Sequence, residues 1–167
     1  VKYTVAPAVG SATATKAAFA LTDAAQEGIV AGITNPDVPR VVSIKGNASG
    51  ITGNVVVHGT NINDEVISDT IALNGSTEVA GAKAFKTVTS IDYPAETHAG
   101  TDTVSIGRGV KIGFPAIISN TGLVIAKNFD GSVDAGTVTA STTVEGSIYA
   151  VAGTMNGVKL VSLVFLV

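Results

Sequence analysis

Few residues in this chain are of a type that does chemistry, and their spacing argues against most reactions. There are 2 histidines and no cysteine in 167 residues. His58 sits in the strand-like run "VVVHGT" and His98 in a loop. No H-x-H or H-x-x-x-H spacing would bring two imidazoles to one metal ion, and a solvated or locally hydrogen-bonded ring is the ordinary state of each. The absent cysteines remove disulfides, thiol catalysis and cysteine metal sites together, and they leave the redox compartment open. No G-x-S-x-G elbow marks a serine nucleophile, so a Ser-His-Asp arrangement would have to be assembled entirely by the fold.

The acidic groups give a similar answer. Asn61, Asn63, Asp64 and Glu65 offer the oxygen ligands that calcium takes. Their spacing is not that of an EF-hand loop, and Asn and Asp are what a hairpin turn selects. The turn reading is preferred, and Asp130 and Asp134 in "NFDGSVDAG" read the same way. Paired carboxylates for glycoside hydrolysis stay open on sequence grounds, although no Trp and only 3 Tyr leave few surfaces for stacking a sugar. "IGRGVKIG" carries Gly107, Gly109 and Gly113, misses the dinucleotide-binding spacing by one residue and precedes a strand, so its glycines mark a bend or bulge. The sequons at Asn47 and Asn74 are short enough to arise by chance. No catalytic residue, cofactor site or metal site is assigned, and the expectation is a protein that is not an enzyme.

The elements that would position these groups are strands. A chain of this length forms one domain and buries roughly 70% of its unfolded surface. Hydrophobic residues make up 46% of it, aromatics 5% and charged residues 14%, against about 25% charged in an ordinary soluble domain. An exterior of Thr, Ser, Asn and Gly gives up little desolvation energy on packing against a partner, which hints at assembly. The net charge of −3, with basic residues scattered singly, argues against nucleic acid.

Along the chain, residues 1–13 read as an extended N-terminal arm and 14–167 as the domain. The opening "VKYTVAPAVGSATATK" lacks a signal-peptide core, and its first residue, Val1, suggests a removed initiator Met or a cleaved precursor. Val1, Tyr3 and Val5 fall on one side of the arm, with Lys2 and Thr4 on the other. The arm buries too little by itself to offset its ordering entropy. These three residues are therefore expected to contact a neighbouring subunit or another protein, by adding a strand to an exposed edge.

Strand-like residues run from Thr15 to Leu21, and a turn then leads to a strand over Gly28–Ile33. "NPDVPR" (Asn35–Arg40) is punctuation before "VVSIKG" (Val41–Gly46), where Val42 and Ile44 share a face. A hairpin spans Gly53–Gly75, with Val55, Val56 and Val57 entering its turn and Val66–Leu73 leaving it. Further strands are expected at Thr77–Ala80 and Ala84–Ile91, followed by a loop containing Pro94, His98 and Gly100. Asp102–Pro115 reads as two short strands hinged at Gly107-Arg108-Gly109, and "AIIS", "LVIAKNF", "GSVDAGTVTA", "SIYAVAG" and the C-terminus supply about five more. The C-terminal "VKLVSLVFLV" is about half a membrane span and is interrupted by Lys159 and Ser162. It reads as a buried strand apolar on both faces, with no membrane segment. Turn signals about every eight to twelve residues and no helical stripe predict an all-β fold, a single-domain β-sandwich or barrel of about 10–12 strands.

From Gly32 to Pro94 the chain resembles a recurring type of tailed-bacteriophage virion protein. That type has an "NPDVPR" lead-in to a strand, a "GNVVVxGTN…GEVISETIALNG" hairpin, a "KAFKTVTSI" strand and a "GDKLGLP"-like strand end, matched here by "GRGVKIGFP" (Gly107–Pro115). The resemblance covers roughly half of the chain, and its motifs are structural rather than catalytic. The chain departs from it at Asp64, where Gly is usual, which puts the form of the hairpin turn in question. The resemblance implies a β-sandwich virion protein on the capsid surface: a head decoration protein bound outside the major capsid protein, as a homo-oligomer and specifically a trimer. The alternatives are a tail, baseplate or fibre-associated structural module, and a host-surface carbohydrate-binding module.

Overall fold

The computed structural model describes residues 1–98 and 101–167, so the expected loop residue Gly100 lies outside the described residues. In chain order the strands are β1 (Lys2–Val5), β2 (Ser11–Ala20), β3 (Gln26–Ile29), β4 (Arg40–Gly46), β5 (Asn54–Thr60), β6 (Val66–Ala72) and β7 (Val79–Phe85). They continue as β8 (Thr87–Tyr93), β9 (Thr103–Gly113), β10 (Val124–Phe129), β11 (Ser132–Val133), β12 (Thr137–Thr139), β13 (Ile148–Ala150) and β14 (Val161–Phe165). One 3-10 turn, Thr121–Leu123, precedes β10, and no α-helix occurs among the described residues. The expected all-β fold is the one observed, in several antiparallel sheets.

The hairpin forms as its period-two pattern predicts. β5 and β6 pair without a break from Thr60 opposite Val66 to Asn54 opposite Ala72. Val55, Val57, Ile67 and Ile71 point into a core, and His58 and Ser68 point away from it. β8 and then β3 complete this sheet in the order β3-β8-β5-β6. Gly59 is required where β5 meets β8, because a Cβ there would lie 1.9 Å from the Thr87 carbonyl oxygen. The β5–β8 register shifts between His58 and Gly59, and there the side-chain carbonyl of Asn35 accepts the Val88 N–H at 2.9 Å.

A second sheet runs β12-β13-β9-β4-β7, with β2 also pairing on β9. Its long strand β9 serves two cores. Val104 and Ile106 join Val42 and Ile44 of β4 against Val55, Val57 and Ile91. Farther along, Ile112 packs with Tyr149, Phe114 and the β14 residues Val161, Leu163 and Phe165. The third sheet, β1-β14-β10-β11, closes this second core. Each buried Val, Ile, Leu or Phe contributes about 1.5–3 kcal/mol, and these two clusters hold the layers together.

Several expectations need correction. Residues 1–13, expected as an extended arm outside the domain, enter its own sheets. β1 pairs antiparallel with β14, placing Tyr3 opposite Leu163, and β2 already begins at Ser11. The supposed hinge at Gly107-Arg108-Gly109 lies inside one continuous strand, β9, whose register with β4 shifts between Arg40 and Val42. Gly107 is glycine because a Cβ would meet the Ser11 carbonyl oxygen at 2.3 Å, so β2 passes close rather than β9 breaking. The strand predicted at Gly28–Ile33 is β3, Gln26–Ile29. β7 and β8 divide at Lys86, whose N–H leaves the ladder to bond the Thr60 carbonyl at 2.8 Å. "AIIS" is not a strand; buried Ile118 donates its N–H to Ser147 Oγ at 2.9 Å. Short strands such as β1 and β11 raise the number among the described residues to fourteen. Finally, β14 is not covered on both faces: Val161, Leu163 and Phe165 are buried, whereas Leu160 and Leu166 are exposed.

Candidate functional site

The groups capable of chemistry are held in separate places, each tied to the backbone or to one neighbour. On the solvent face of the hairpin sheet, His58 Nε2 lies 2.8 Å from Asp92 Oδ2. The other Asp92 oxygen accepts the Gly28 N–H at 2.7 Å, so this carboxylate fastens β3 to its sheet. That backbone bond, foremost, and His58 hold its pKa below the usual carboxylate range against a smaller opposing effect of burial. Register also sets Ser68 and Ser90 directly opposite His58. The residue types of a catalytic triad therefore meet on one face, yet neither hydroxyl bonds the imidazole among the described hydrogen bonds. His98 pairs elsewhere, its Nδ1 3.0 Å from the buried Asp102, which also accepts the His98 N–H at 2.9 Å. Among the described residues no three His, Asp or Glu side chains converge as a metal set.

The hairpin turn uses its polar residues internally. Buried Asn61 accepts the N–H groups of Asn63 at 2.9 Å and Glu65 at 3.1 Å through Oδ1. Its amide donates to Glu65 at 2.7 Å and to Glu145 at 3.4 Å. The side-chain carbonyl of Asn61 is thus occupied by backbone donors. Asp64 has φ of 65°, the left-handed conformation that Gly adopts freely, and its carboxylate meets Lys86 at 2.8 Å. The departure from Gly at this position leaves a Gly-like backbone and adds an ion pair.

Asp130 and Asp134 separate in role. Asp130 has φ of 51° in the β10–β11 turn and lies 3.6 Å from Lys159. Asp134 is buried, accepts the Tyr149 hydroxyl, and takes the N–H groups of Ala152 at 3.0 Å and Gly153 at 3.2 Å. Burial pushes its pKa up, and those donors outweigh it, leaving the carboxyl below its ordinary value. Burial and the Asp134 charge together raise the Tyr149 phenol. Asn47, at one sequon, spends its side chain on Thr101 and Thr103.

Of the expected assembly residues, Val1 is exposed, whereas Tyr3 and Val5 turn to their own chain. Tyr3 and Val5 pack on the second core, and the Val1 amino group donates to the Phe165 carbonyl at 2.6 Å. The alternation holds for Tyr3 and Val5, which face the chain's own second core beside β14.

The motif read as punctuation turns out to be a clamp. Fully buried Arg40 donates through Nη1 to Asp37 at 2.9 Å and to the Ala8 carbonyl at 3.0 Å, and through Nη2 to the Gly109 carbonyl. Asp37 in turn accepts the Ala8 N–H at 2.6 Å. An Asp and an Arg three residues apart, each directly after a proline, was the available signal. Beside the clamp lies a groove of ≈ 370 Å³ lined by Gly10, Ala12, Val41, Ser43, Arg108 and Lys111. A second cleft, ≈ 480 Å³, holds Glu65 and Glu145 with Asn61, Val66, Ile117 and Thr143. Compared with protein-family models, with curated proteins and with solved structures, the chain matches none.

Proposed function

We propose that this chain is a non-enzymatic structural protein of a tailed-bacteriophage virion that binds the outside of the major capsid protein shell and stabilises it. The single observation behind this reading is where the residues of the resemblance go. Asp37 and Arg40 of "NPDVPR" and Asn61 of the hairpin turn bond backbone groups, Asp64 holds a left-handed turn position, and Gly107 of the strand end leaves room for β2. The low charge of the chain supports the same reading, because neutral β surfaces lose little on leaving water.

The test is quantitative mass spectrometry of purified particles. A decoration protein is present in many copies relative to the major capsid protein, and heads lacking it lose resistance to heat or chelators. A few copies confined to the tail would instead favour the tail or baseplate reading. Recombinant chain added back to heads that lack it should bind and restore their resistance.

A further inference from the structure

Along β6 the alternation that buries Ile67 and Ile71 also buries Asp69, which is 7% exposed. A carboxylate thus stands where the hairpin pattern calls for an apolar side chain. Burying such a group is costly unless hydrogen bonds compensate it, and here they do. Asp69 Oδ2 accepts two successive backbone N–H groups of β7, from Ala82 at 2.7 Å and from Lys83 at 3.0 Å.

The strand opposite is shaped to meet it. Between Ser43 opposite Ala80 and Val41 opposite Ala84, β7 runs through Gly81, Ala82 and Lys83 while β4 has Val42 alone. The surplus residues form a bulge, and in it two successive N–H groups reach one oxygen. Gly81 makes the approach possible, since a Cβ there would lie 2.3 Å from Asp69 Oδ2. The contact is returned by Lys83, whose Nζ donates to the Ser68 carbonyl of β6 at 2.8 Å. Next along β7, the Ala84 N–H is taken by the Glu145 carbonyl at 2.7 Å.

β6 and β7 are the last strands of their sheets, β3-β8-β5-β6 and β12-β13-β9-β4-β7, and among the described residues no ladder pairs one with the other. Each is therefore an edge of the kind that recruits a strand from another chain. We infer that Asp69, with Lys83, seals these two edges against each other, and that the seam is a built-in block on edge-to-edge pairing between copies of the chain. An inward-pointing charge and a bulge in the edge strand are two separate means by which sheets avoid such pairing, and both meet at this seam. The block acts in any setting, on a capsid or off it.

Hydrogen exchange and light scattering on the purified full chain test the block, with Asp69→Ala and Asp69→Asn. Asp69→Ala frees both N–H groups. In dilute solution their exchange should quicken about tenfold, and with rising concentration the mass should climb past that of the wild type. In the associated form the Ala82 and Lys83 amides should be protected again, because a strand of another copy takes them. Asp69→Asn keeps a side-chain carbonyl for these donors and should hold the wild-type mass. If Asp69→Ala fails to fold, Asp69→Val supplies the apolar residue that the alternation calls for and frees the same N–H groups. A folded Ala or Val variant whose mass never exceeds that of the wild type overturns the inference. So does association that leaves the two amides unprotected, which would put the contact elsewhere, or an Asp69→Asn variant that associates as fully as the Ala or Val variant.

Discussion

Arg40 and Asp37 share a hydrogen bond of 2.9 Å, and between them they grip both backbone groups of Ala8, its carbonyl at 3.0 Å and its N–H at 2.6 Å. The same guanidinium reaches the Gly109 carbonyl in β9. One side chain therefore joins the segment after β1, the start of β4 and the middle of β9. It stops the N-terminal segment from leaving its own sheet.

Replacing Arg40 with Ala should be costly. Removing one member of a buried charged pair costs about 3–5 kcal/mol, and Asp37 keeps 25% of its side chain in water, which points to the lower end. Urea unfolding should show this loss, with faster proteolysis between Val5 and Ser11. An unchanged midpoint would mean that the clamp holds nothing.

Acid should weaken the fold through three carboxylates. Asp134 and Asp37 are pushed up by burial and pulled down further by their donors, Tyr149 with backbone N–H groups in one case and Ala8 with Arg40 in the other. Asp92 is lowered chiefly by the Gly28 N–H. Each folded pKa lies below the unfolded value of about 3.9, so folding favours the ionised form. The stabilisation is complete above that value and is lost as pH falls through the folded pKa. Melting temperature should be flat on the alkaline side of pH ~4 and drop below it. Asp134→Asn should melt lower at neutral pH and lose less on acidification; equal acid sensitivity in the variant would count against this assignment.

At position 64 the backbone, rather than the charge, should decide. A β-branched residue held at positive φ costs about 1–3 kcal/mol, so Asp64→Val should destabilise by that order. Asp64→Gly relieves the backbone but loses the exposed Lys86 pair, worth about 0–1 kcal/mol, and should stay within about 0.5 kcal/mol of the wild type. Thermal melts of the two variants check the order. Equal destabilisation by both would shift the importance to the ion pair.

Deleting Val1–Val5 should lower stability by about 2–3 kcal/mol, since Tyr3 and Val5 are partly buried on the second core. It should also bare the edge of β14 to other chains and promote aggregation. A melting temperature and solubility equal to the full chain would show that β1 contributes nothing to its own sheet.

The strands whose partners lie close in sequence were legible before any coordinates. Val55, Val57, Ile67 and Ile71 stand at period-two positions around an Asn- and Asp-rich turn, and that pattern specified β5, β6 and their turn. "VVSIKG" announced β4 as well, with Val42 and Ile44 sharing a core face, although its partners β7 and β9 lie far along the chain. Less was legible at the candidate sites. His58 and Asp92 are 34 positions apart, and nothing in either segment names the other.

By itself the sequence determined the all-β class, the main hairpin and the turn character of Asn61 to Glu65, because alternation and turn preference act over a few neighbouring residues. Tertiary structure alone decided what covers each face. Val1, Tyr3 and Val5 alternate equally well for a neighbour's edge or their own β14, and the choice came from Val161–Phe165, more than 150 residues away. Likewise Leu160 to Leu166 looked apolar on both sides, yet only one side meets a core. A period of two tells which side chains share a face; the layer packed against that face is set by contacts between distant segments, which no local pattern encodes.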